Sequence, residues 1–300
     1  MKTESVFLYR FNFKISSSSC SGKDHWVWRN FKKRELDKYE TISAKIKNLS
    51  FNKTPKKIIR SLKTQNEYFI FCKNEIYSYN KKFDLQQIIL FRNHQFEIFT
   101  KEFRNRPLLY YLDSINIMLI LRNFNIVCFH GAAFKISDKT FLCIAKPEGG
   151  KTTLCYLLRK IFKNKIKIYA DDLVIVDPSN EQIMVSGTPC SSNLGSRPPP
   201  GGRLRSGPLI RNIPHNKFSK LDYILFLKKS ENTLIKRVPN KSKRRLASVP
   251  YVSLCTNTDR EALEVCSQII RKVPIYSLNF NIDSAKLKTL FENSFLKDKT

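Results

Sequence analysis

Hydrophobic and polar residues alternate in short runs along the first hundred residues, with the period of two that half-buried β-strands show. Lys-rich turns separate the runs, which cover residues 6–15, 68–72, 75–79 and 87–91. The side chains that share one face of the first run are Tyr9, Phe11, Phe13 and Ile15. We therefore predict a small, mainly β region over residues 1–102, with a loop at the serine run 16–19 and a half-exposed strand at the aromatic segment 25–28.

From residue 103 onward, strand-like runs alternate with helical ones, as in α/β domains. Helices are predicted over residues 107–122, 153–162, 259–272 and 284–296. Strands are predicted over residues 125–136, with a pause at His130 and Gly131, and over residues 140–145, 167–177, 181–189, 221–229 and 274–280. The second predicted domain, residues 103–300, is therefore of the α/β class.

Residues 190–215 have no hydrophobic periodicity and are rich in proline and arginine. A loop of this length in a compact domain is usually functional or disordered. Guanidinium groups form forked hydrogen bonds with phosphate oxygens, so Arg203, Arg205 and Arg211 are candidates for contacts with phosphate or acceptor. We expect this segment to order over a bound ligand.

The net charge of the chain favours an anionic partner. Its 300 residues include 54 lysines and arginines against 25 aspartates and glutamates, a formal charge of +29. The resulting positive field suits a nucleotide, a nucleic acid, an acidic peptide or an anionic membrane surface, and charge alone does not choose among them. A general compositional bias toward lysine, alongside Asn, Ile and Phe, stays open as the other explanation.

The cysteines and the apolar segments favour a cytoplasmic protein. The eight cysteines form no C-x-x-C pair and no Cys/His set at zinc spacing. Because Cys128, Cys143 and Cys155 lie in apolar runs, we expect buried free thiols, which indicates a reducing compartment. Residues 1–15 lack the apolar core and cleavage site of a signal peptide. The longest apolar stretch, residues 108–121, is too short and too polar to span a bilayer.

The strongest candidate chemistry lies at residues 145–154, AKPEGGKTTL, which fit the phosphate-loop pattern of a small residue, four variable residues and Gly-Lys-Thr. A predicted strand precedes this segment and a predicted helix follows it, so backbone N–H groups and the helix dipole form an anion site. An incidental Gly-Gly turn is the alternative. The predicted nucleotide-binding residues are Ala145, Lys146, Pro147, Glu148, Gly149, Gly150, Lys151, Thr152 and Thr153.

Two adjacent acids, Asp171 and Asp172, follow the lysine of this loop by roughly twenty residues. Phosphoryl transfer with Mg²⁺ uses such acids, since one carboxylate holds the metal or its water and another accepts the proton of an incoming hydroxyl. Adjacent side chains on a strand point to opposite faces, so both act at one site only where the strand bends or ends. An ordinary Asp-Asp turn is the alternative.

The order of motifs along the chain resembles that of the catalytic domain of the HPr kinase/phosphorylase superfamily. The motifs are His130–Gly131, the phosphate loop, the acid pair and the Gly-Thr-Pro of VSGTP (185–189). That superfamily shares its phosphate-loop architecture with phosphoenolpyruvate carboxykinase. The closing segment VPIYSLNF (273–280) is similar to that of the compact HPr-kinase-like proteins. The resemblance covers about residues 103–296 and implies a mixed, twisted sheet that carries the phosphate loop in a nucleotide-binding fold.

The resemblance also implies roles for individual residues. Lys151 would bind the β- and γ-phosphates of ATP, Thr152 would bind Mg²⁺ with support from Asp172, Asp171 would be the general base toward a substrate hydroxyl, and His130 would lie beside the phosphates.

Two positions depart from the family pattern. Ala145 replaces the usual first glycine, and Glu148 places a carboxylate where glycine is often found, which we expect to weaken anion affinity. The acidic, Gly-containing segment that accompanies phosphorylase activity in the bifunctional enzymes is not found in the sequence. The resemblance therefore implies only the kinase activity of the family, and not its phosphorylase activity.

The leading interpretation is an ATP- and Mg²⁺-dependent kinase of a serine hydroxyl on a protein or small ribosomal peptide. The alternatives are a small-molecule kinase on the same scaffold, a catalytically silent nucleotide sensor or adaptor, and a basic nucleic-acid-binding protein. The intact Lys151, Thr152, Asp171 and Asp172 favour chemistry over a silent sensor. The lack of a recognisable nucleic-acid module disfavours the last alternative. The acceptor, the choice between ATP and GTP, and homo-oligomer formation stay open.

Overall fold

A computed structural model describes residues 2–8, 11–17, 40–48, 55, 57–58, 60–63, 67–72, 75–80, 85–92, 95–100, 114–146, 148–170, 173–179, 181–187, 218–239 and 259–296. The chain divides into two compact units, residues 1–120 and residues 121–300. The domain boundary that the sequence predicts, between residues 102 and 103, lies outside the described residues. So do the proline- and arginine-rich segment 190–215 and the aromatic segment 25–28.

The described part of the first unit forms an eight-stranded sheet in the order β1-β2-β3-β8-β7-β6-β5-β4. Its strands are β1 (Lys2–Leu8), β2 (Phe11–Ser17), β3 (Glu40–Asn48), β4 (Arg60–Lys63), β5 (Glu67–Phe71), β6 (Glu75–Asn80), β7 (Leu85–Arg92) and β8 (Gln95–Thr100). Strand β3 is parallel to both of its neighbours, and the other pairs are antiparallel. Phe11, Phe13 and Ile15 are buried on one face of β2, as their spacing predicts.

The predicted single strand over residues 6–15 is wrong, because β1 and β2 form an antiparallel hairpin in which Leu8 pairs with Phe11. The alternation of apolar residues runs through the two-residue connection, which contains no glycine, asparagine or proline to mark it. Ser16 and Ser17 lie in β2 rather than in the predicted loop. Strands β5, β6 and β7 are confirmed, whereas β3, β4 and β8 were not predicted.

Helix α1 (Ser114–Leu121) is followed by a 3-10 turn, Arg122–Phe124. The predicted end of this helix is confirmed, and its predicted start at Pro107 lies outside the described residues. Four of its side chains are fully buried: Ile117, Met118, Ile120 and Leu121. Throughout the described part of the chain, no helix combines the length and the apolar character that crossing a bilayer requires.

The described part of the second unit forms a nine-stranded mixed sheet, so the α/β class is confirmed. Its strands are β9 (Val127–Ile136), β10 (Lys139–Ile144), β11 (Ile166–Ala170), β12 (Leu173–Asp177), β13 (Met184–Gly187), β14 (Phe218–Lys220), β15 (Tyr223–Lys229), β16 (Leu234–Arg237) and β17 (Ile275–Phe280). Its helices are α2 (Lys151–Phe162), α3 (Asp259–Lys272) and α4 (Ser284–Phe291), the last continued by a π-helical turn, Glu292–Leu296.

The strand order of this sheet is β14-β13-β12-β9-β10-β15-β17-β16, and β11 also pairs with β9. Strands β10, β15 and β17 are parallel neighbours, so their carboxyl ends meet at one edge of the sheet. Strands β11 and β12 are both antiparallel to β9. The chain segments that follow β10, β15 and β17 therefore emerge together, and ligands of open α/β sheets bind at such an edge.

One face of this sheet packs against α2 and α4 through an aromatic core. Phe141 is at its centre, with ring centroids 5.3 Å from Phe134, 5.5 Å from Phe291 and 5.1 Å from Phe295. The predicted free thiols are confirmed as buried at Cys128, Cys143, Cys155 and Cys266, whereas Cys72 is only half-buried. The other three cysteines lie outside the described residues.

Two predictions for the second unit need correction. Strand β9 continues through His130 and Gly131 without the predicted pause, because both residues keep their pairing to neighbouring strands. The run over residues 167–177 forms two strands, β11 and β12, on either side of the acid pair. Helices α2, α3 and α4 and strands β10, β13, β15 and β17 are confirmed. The short edge strands β14 and β16 were not predicted, since each has only three or four residues.

Candidate functional site

The turn between β10 and α2 connects a buried strand to the first turn of a helix. The Gly149 N–H donates to the Lys146 carbonyl oxygen at 2.9 Å, which closes the turn, and α2 begins at Lys151. Gly150 is the N-terminal cap, with a φ of 96°. Because glycine has no side chain to cap a helix, the first N–H groups of α2 have no cap side chain to donate to. Such a helix start suits an anion.

Two residues of this turn have a left-handed backbone. At Gly150 only glycine fits, since its φ is positive and an added Cβ would lie 2.7 Å from the Phe280 ring. Glu148 has a φ of 62° and an exposed side chain. Left-handed backbone costs a non-glycine residue about 1 kcal/mol. Glu148 therefore lies at a position whose backbone geometry favours glycine.

Lys151 brings a buried positive charge to the turn. Its side chain is only 7% exposed, and its ammonium group donates to the Ala145 carbonyl oxygen at 3.3 Å. Of the other predicted binding residues, Ala145, Thr152 and Thr153 are half-buried and Lys146 is exposed. Pro147 lies outside the described residues. The lysine ammonium and the helix start thus lie on the same turn.

The register of β9 places His130 near the start of this turn. Gly131 pairs with Ile144, the last residue of β10, and His130 pairs on the other side with Leu173, the first residue of β12. The His130 side chain is half-buried. The backbone pairing therefore brings the predicted histidine close to the start of the turn between β10 and α2 and to the residue that follows the acid pair in sequence.

The predicted acids Asp171 and Asp172 lie outside the described residues. The strands on each side of them are described: β11 ends at Ala170, which pairs with Ala133, and β12 begins at Leu173. The two flanking strands therefore pair with opposite halves of β9, and Gly131, the partner of Ile144 at the end of β10, lies between the two paired stretches. Arg203, Arg205 and Arg211 lie outside the described residues as well.

The glycine of the Gly-Thr-Pro segment has a steric role beside the acid pair. An added Cβ at Gly187 would overlap the carbonyl group of Tyr169, one residue before the end of β11. The Tyr169 hydroxyl and the Ser219 hydroxyl are joined by a hydrogen bond of 3.0 Å. Burial raises the pKa of Tyr169, and this bond opposes the rise. Gly187 thus permits β13 to approach the strand that leads to the acids.

Two thiols lie in the core beneath the turn. Cys143 of β10 and Cys155 of α2 are both fully buried among the apolar side chains that connect the strand to the helix. Burial, and then the neighbouring Cys155, raise the pKa of Cys143 well above its ordinary value. The Cys143 thiol is therefore neutral and acts as a small apolar side chain that supports the loop from below.

Two further residues contact the turn and were not predicted. A Cβ added at Gly150 would lie 3.3 Å from Cε of Lys229, the last residue of β15, and 2.7 Å from the ring of Phe280, the last residue of β17. The sequence does contain a signal for the lysine, since Lys228 and Lys229 end a buried strand. Recognising it requires the knowledge that β15 is parallel to β10 and adjacent to it.

Comparisons with known proteins add little to this geometry. No family model matches the chain, and neither does any curated protein. Among solved structures, the Hpr(Ser) kinase/phosphatase from Coxiella burnetii is similar, with 17% identity, over 58% of this chain and 99% of that chain, at a TM-score of 0.34. This is a distant structural likeness, and it carries no weight in assigning a function.

Proposed function

We propose that the second unit binds Mg²⁺-ATP at the turn between β10 and α2 and transfers the terminal phosphoryl group to a serine hydroxyl of a protein or small peptide. The observation that carries the proposal is the turn itself. Gly150, which has a left-handed backbone, leaves the start of α2 without a capping side chain, and the buried Lys151 ammonium lies on the same turn. Strand, turn, lysine and helix occur in the order that a phosphate loop requires.

The phosphate chain would be bound by backbone and lysine together. N–H groups at the start of α2 would donate to phosphate oxygens, and the Lys151 ammonium would exchange its hydrogen bond with the Ala145 carbonyl for a stronger, charge-assisted one. Nearly complete burial of Lys151 excludes water, which strengthens the attraction between its ammonium group and an anion. The half-buried His130 would lie beside the same phosphates.

Transfer needs a base and an acceptor. The acceptor hydroxyl oxygen would bond to the γ-phosphorus while the bond from that phosphorus to the bridging oxygen breaks, releasing ADP. Asp171 would accept the hydroxyl proton. Phosphoryl transfer at such a site depends chiefly on positioning and on charge stabilisation. The pairing of β11 and β12 with β9 on both sides of Asp171 in the sequence supports such positioning.

The metal proposal depends on oxygen donors, which Mg²⁺ prefers. Thr152 lies half-buried in the first turn of α2, directly after Lys151, and with Asp172 it would hold the ion. When bound, Mg²⁺ neutralises charge on the phosphate oxygens. Substrate classes other than serine hydroxyls, including small molecules, would use the same residues, and a silent nucleotide sensor would use only the binding half of the site.

Replacing Lys151 tests the binding site. The variant Lys151→Ala should bind Mg²⁺-ATP about a hundredfold more weakly, because the phosphate charge would lose the buried ammonium group beside the backbone N–H groups. Lys160→Ala is the matched control, since Lys160 lies on the same helix and is exposed. Isothermal titration calorimetry of the two variants and the unaltered protein decides the matter. Equal affinity in all three would remove the basis for the phosphate-loop assignment.

Replacing Asp171 tests the chemistry. Asp171→Asn should keep Mg²⁺-ATP affinity and slow phosphate release from ATP, with water as acceptor, by roughly a thousandfold, because an amide does not accept the proton. Asp138→Asn is the control, since Asp138 is exposed on the hairpin between β9 and β10. Binding without measurable release in the unaltered protein would favour the silent sensor. Undiminished release by Asp171→Asn would transfer the role of base to another residue.

A further inference from the structure

Strand β15 extends beyond its parallel neighbour β10 at the edge that carries the phosphate loop. Phe226 pairs with Ile144, where β10 ends, and β15 continues for three more residues to Lys229. On the other side, Lys229 pairs with Phe280 of β17. The last residues of β15 therefore lie beside the turn that follows β10, and not beside β10 itself.

The alternation of β15 assigns Lys229 to the face that carries α2. Leu225 and Leu227 belong to the core that packs against this helix, and side chains two residues apart share a face. Lys229 continues that series, whereas Lys228 falls on the opposite face. Both lysines are exposed, both lie in β15 and both carry a positive charge. Only one of them faces the start of α2.

The Lys229 side chain reaches the phosphate-loop glycine. A Cβ added at Gly150 would lie 3.3 Å from Cε of Lys229, and the ammonium group is one bond beyond that carbon. The ring of Phe280, itself buried, lies against the same glycine. An apolar wall thus borders the turn beside the lysine, and the charged end of Lys229 extends past it, as lysines do at the rim of a core.

Hydrogen bonds fix the backbone where Lys229 ends its strand. The N–H of Ser230, the next residue, donates to the Phe280 carbonyl oxygen at 2.9 Å. The Asn281 side chain accepts from the Thr233 hydroxyl at 2.9 Å and donates to the Glu231 carbonyl oxygen at 2.6 Å. The turn after β15 is therefore joined to the segment after β17. Lys229 lies on a fixed strand end, which suits a binding residue.

The charge of Lys229 is not explained by an acidic neighbour. Among the residues that the structure describes, no acidic side chain forms an ion pair with it. It lies instead beside a helix N-terminus, which carries a partial positive charge, and beside the turn that holds the Lys151 ammonium. An anion bound at this turn would be attracted by both lysines and by the helix start.

We propose that Lys229 is a second phosphate-binding lysine of the loop, so that the phosphate chain is held between Lys151 on α2 and Lys229 on β15. The inference rests on the proposed function and adds a residue to its site. It also names the ligand class more narrowly, because two lysines beside one turn suit a chain of several phosphates better than a single phosphate.

The test compares Lys229→Ala with Lys228→Ala by calorimetry, using Mg²⁺-ATP and magnesium triphosphate as probes. Lys229→Ala should weaken the binding of both probes about tenfold, the size expected for one charge-assisted hydrogen bond, whereas Lys228→Ala should stay within about twofold. Lys229→Arg should restore most of the loss, because it keeps the charge. For AMP, the difference between Lys229→Ala and the unaltered protein should shrink.

The outcomes separate the two proposals. Binding by the unaltered protein, together with equal affinities of Lys229→Ala and Lys228→Ala, would overturn the role of Lys229 and leave the phosphate loop in place. A protein that binds neither probe would overturn the proposed function and this inference with it. Both lysines are exposed, so both variants should fold, and matching melting temperatures would verify that their affinities are comparable.

Discussion

The two sheets of this protein are similar in size, with eight and nine strands, but they differ in their use of glycine. Of the nine glycines, only Gly22 precedes residue 131, and no described strand of the first sheet contains one. The first sheet is instead built on buried phenylalanine and isoleucine side chains. In the second unit, an added Cβ would come within 2.8 Å or less of another residue at Gly131, Gly149, Gly150 and Gly187.

This difference shows where neighbouring segments approach each other through their backbones rather than through their side chains. In the first sheet, large side chains pack on the face of the strands, and a glycine within a strand would weaken that packing. A phosphate loop binds its ligand with backbone N–H groups, so the chain itself must come close to the ligand and to neighbouring strands. In the second unit, such close approaches of the backbone lie at the turn before α2 and at the strand before the acid pair. Altering either place tests the comparison.

The largest effect is expected at Gly187. Gly187→Ala would force the new Cβ against the Tyr169 carbonyl group, which lies near the end of β11. We expect a loss of about 3 kcal/mol in the free energy of unfolding, together with slower phosphate release, because the chain leading to Asp171 would shift. Thermal melting and an ATPase assay measure both effects.

Gln182→Ala, in the exposed bend before β13, is the control for this change and should leave both quantities unaltered. If Gly187→Ala kept the stability and the rate of the unaltered protein, close packing of β13 on β11 would have no part in the site. The distribution of glycine would then lose its functional meaning.

A smaller effect, in the opposite direction, is expected at Glu148. Glu148→Gly should tighten Mg²⁺-ATP binding several-fold and raise the unfolding free energy by up to about 1 kcal/mol, since it removes a carboxylate and relieves a left-handed backbone. Glu148→Gln separates the causes, because it removes the charge and keeps the strain. Calorimetry and thermal melting measure the two quantities. Weaker binding by both variants would show that Glu148 contributes to the site.

Much of the second unit could be predicted because its patterns are long. Helix α3 matches its predicted bounds, and strands β10 and β17 deviate by one residue at their ends. Short or unpunctuated elements were missed, such as the hairpin at Leu8 and Phe11, because a two-residue turn without glycine gives no local signal. The strands β3, β4 and β8 depend on distant partners in their sheet, and single-sequence patterns do not specify these.

The candidate site follows the same division. The loop residues and His130 could be named from the order of motifs along the chain, since their chemistry resides in local sequence. Lys229 and Phe280 could not, because they reach Gly150 only through the parallel pairing of β10, β15 and β17. The left-handed backbone at Glu148 could not be predicted either, because the sequence shows which side chain is present but not the backbone conformation of the residue.

The central claim, that the second unit binds nucleotide at the turn before α2, is tested most directly by amide hydrogen exchange with and without Mg²⁺-ATP. Nucleotide binding at this turn should slow exchange over residues 145–155, where N–H groups would donate to phosphates, and leave exchange in β5, β6 and β7 of the first sheet unchanged. Unchanged exchange over residues 145–155, or slowing confined to the first sheet, would contradict it.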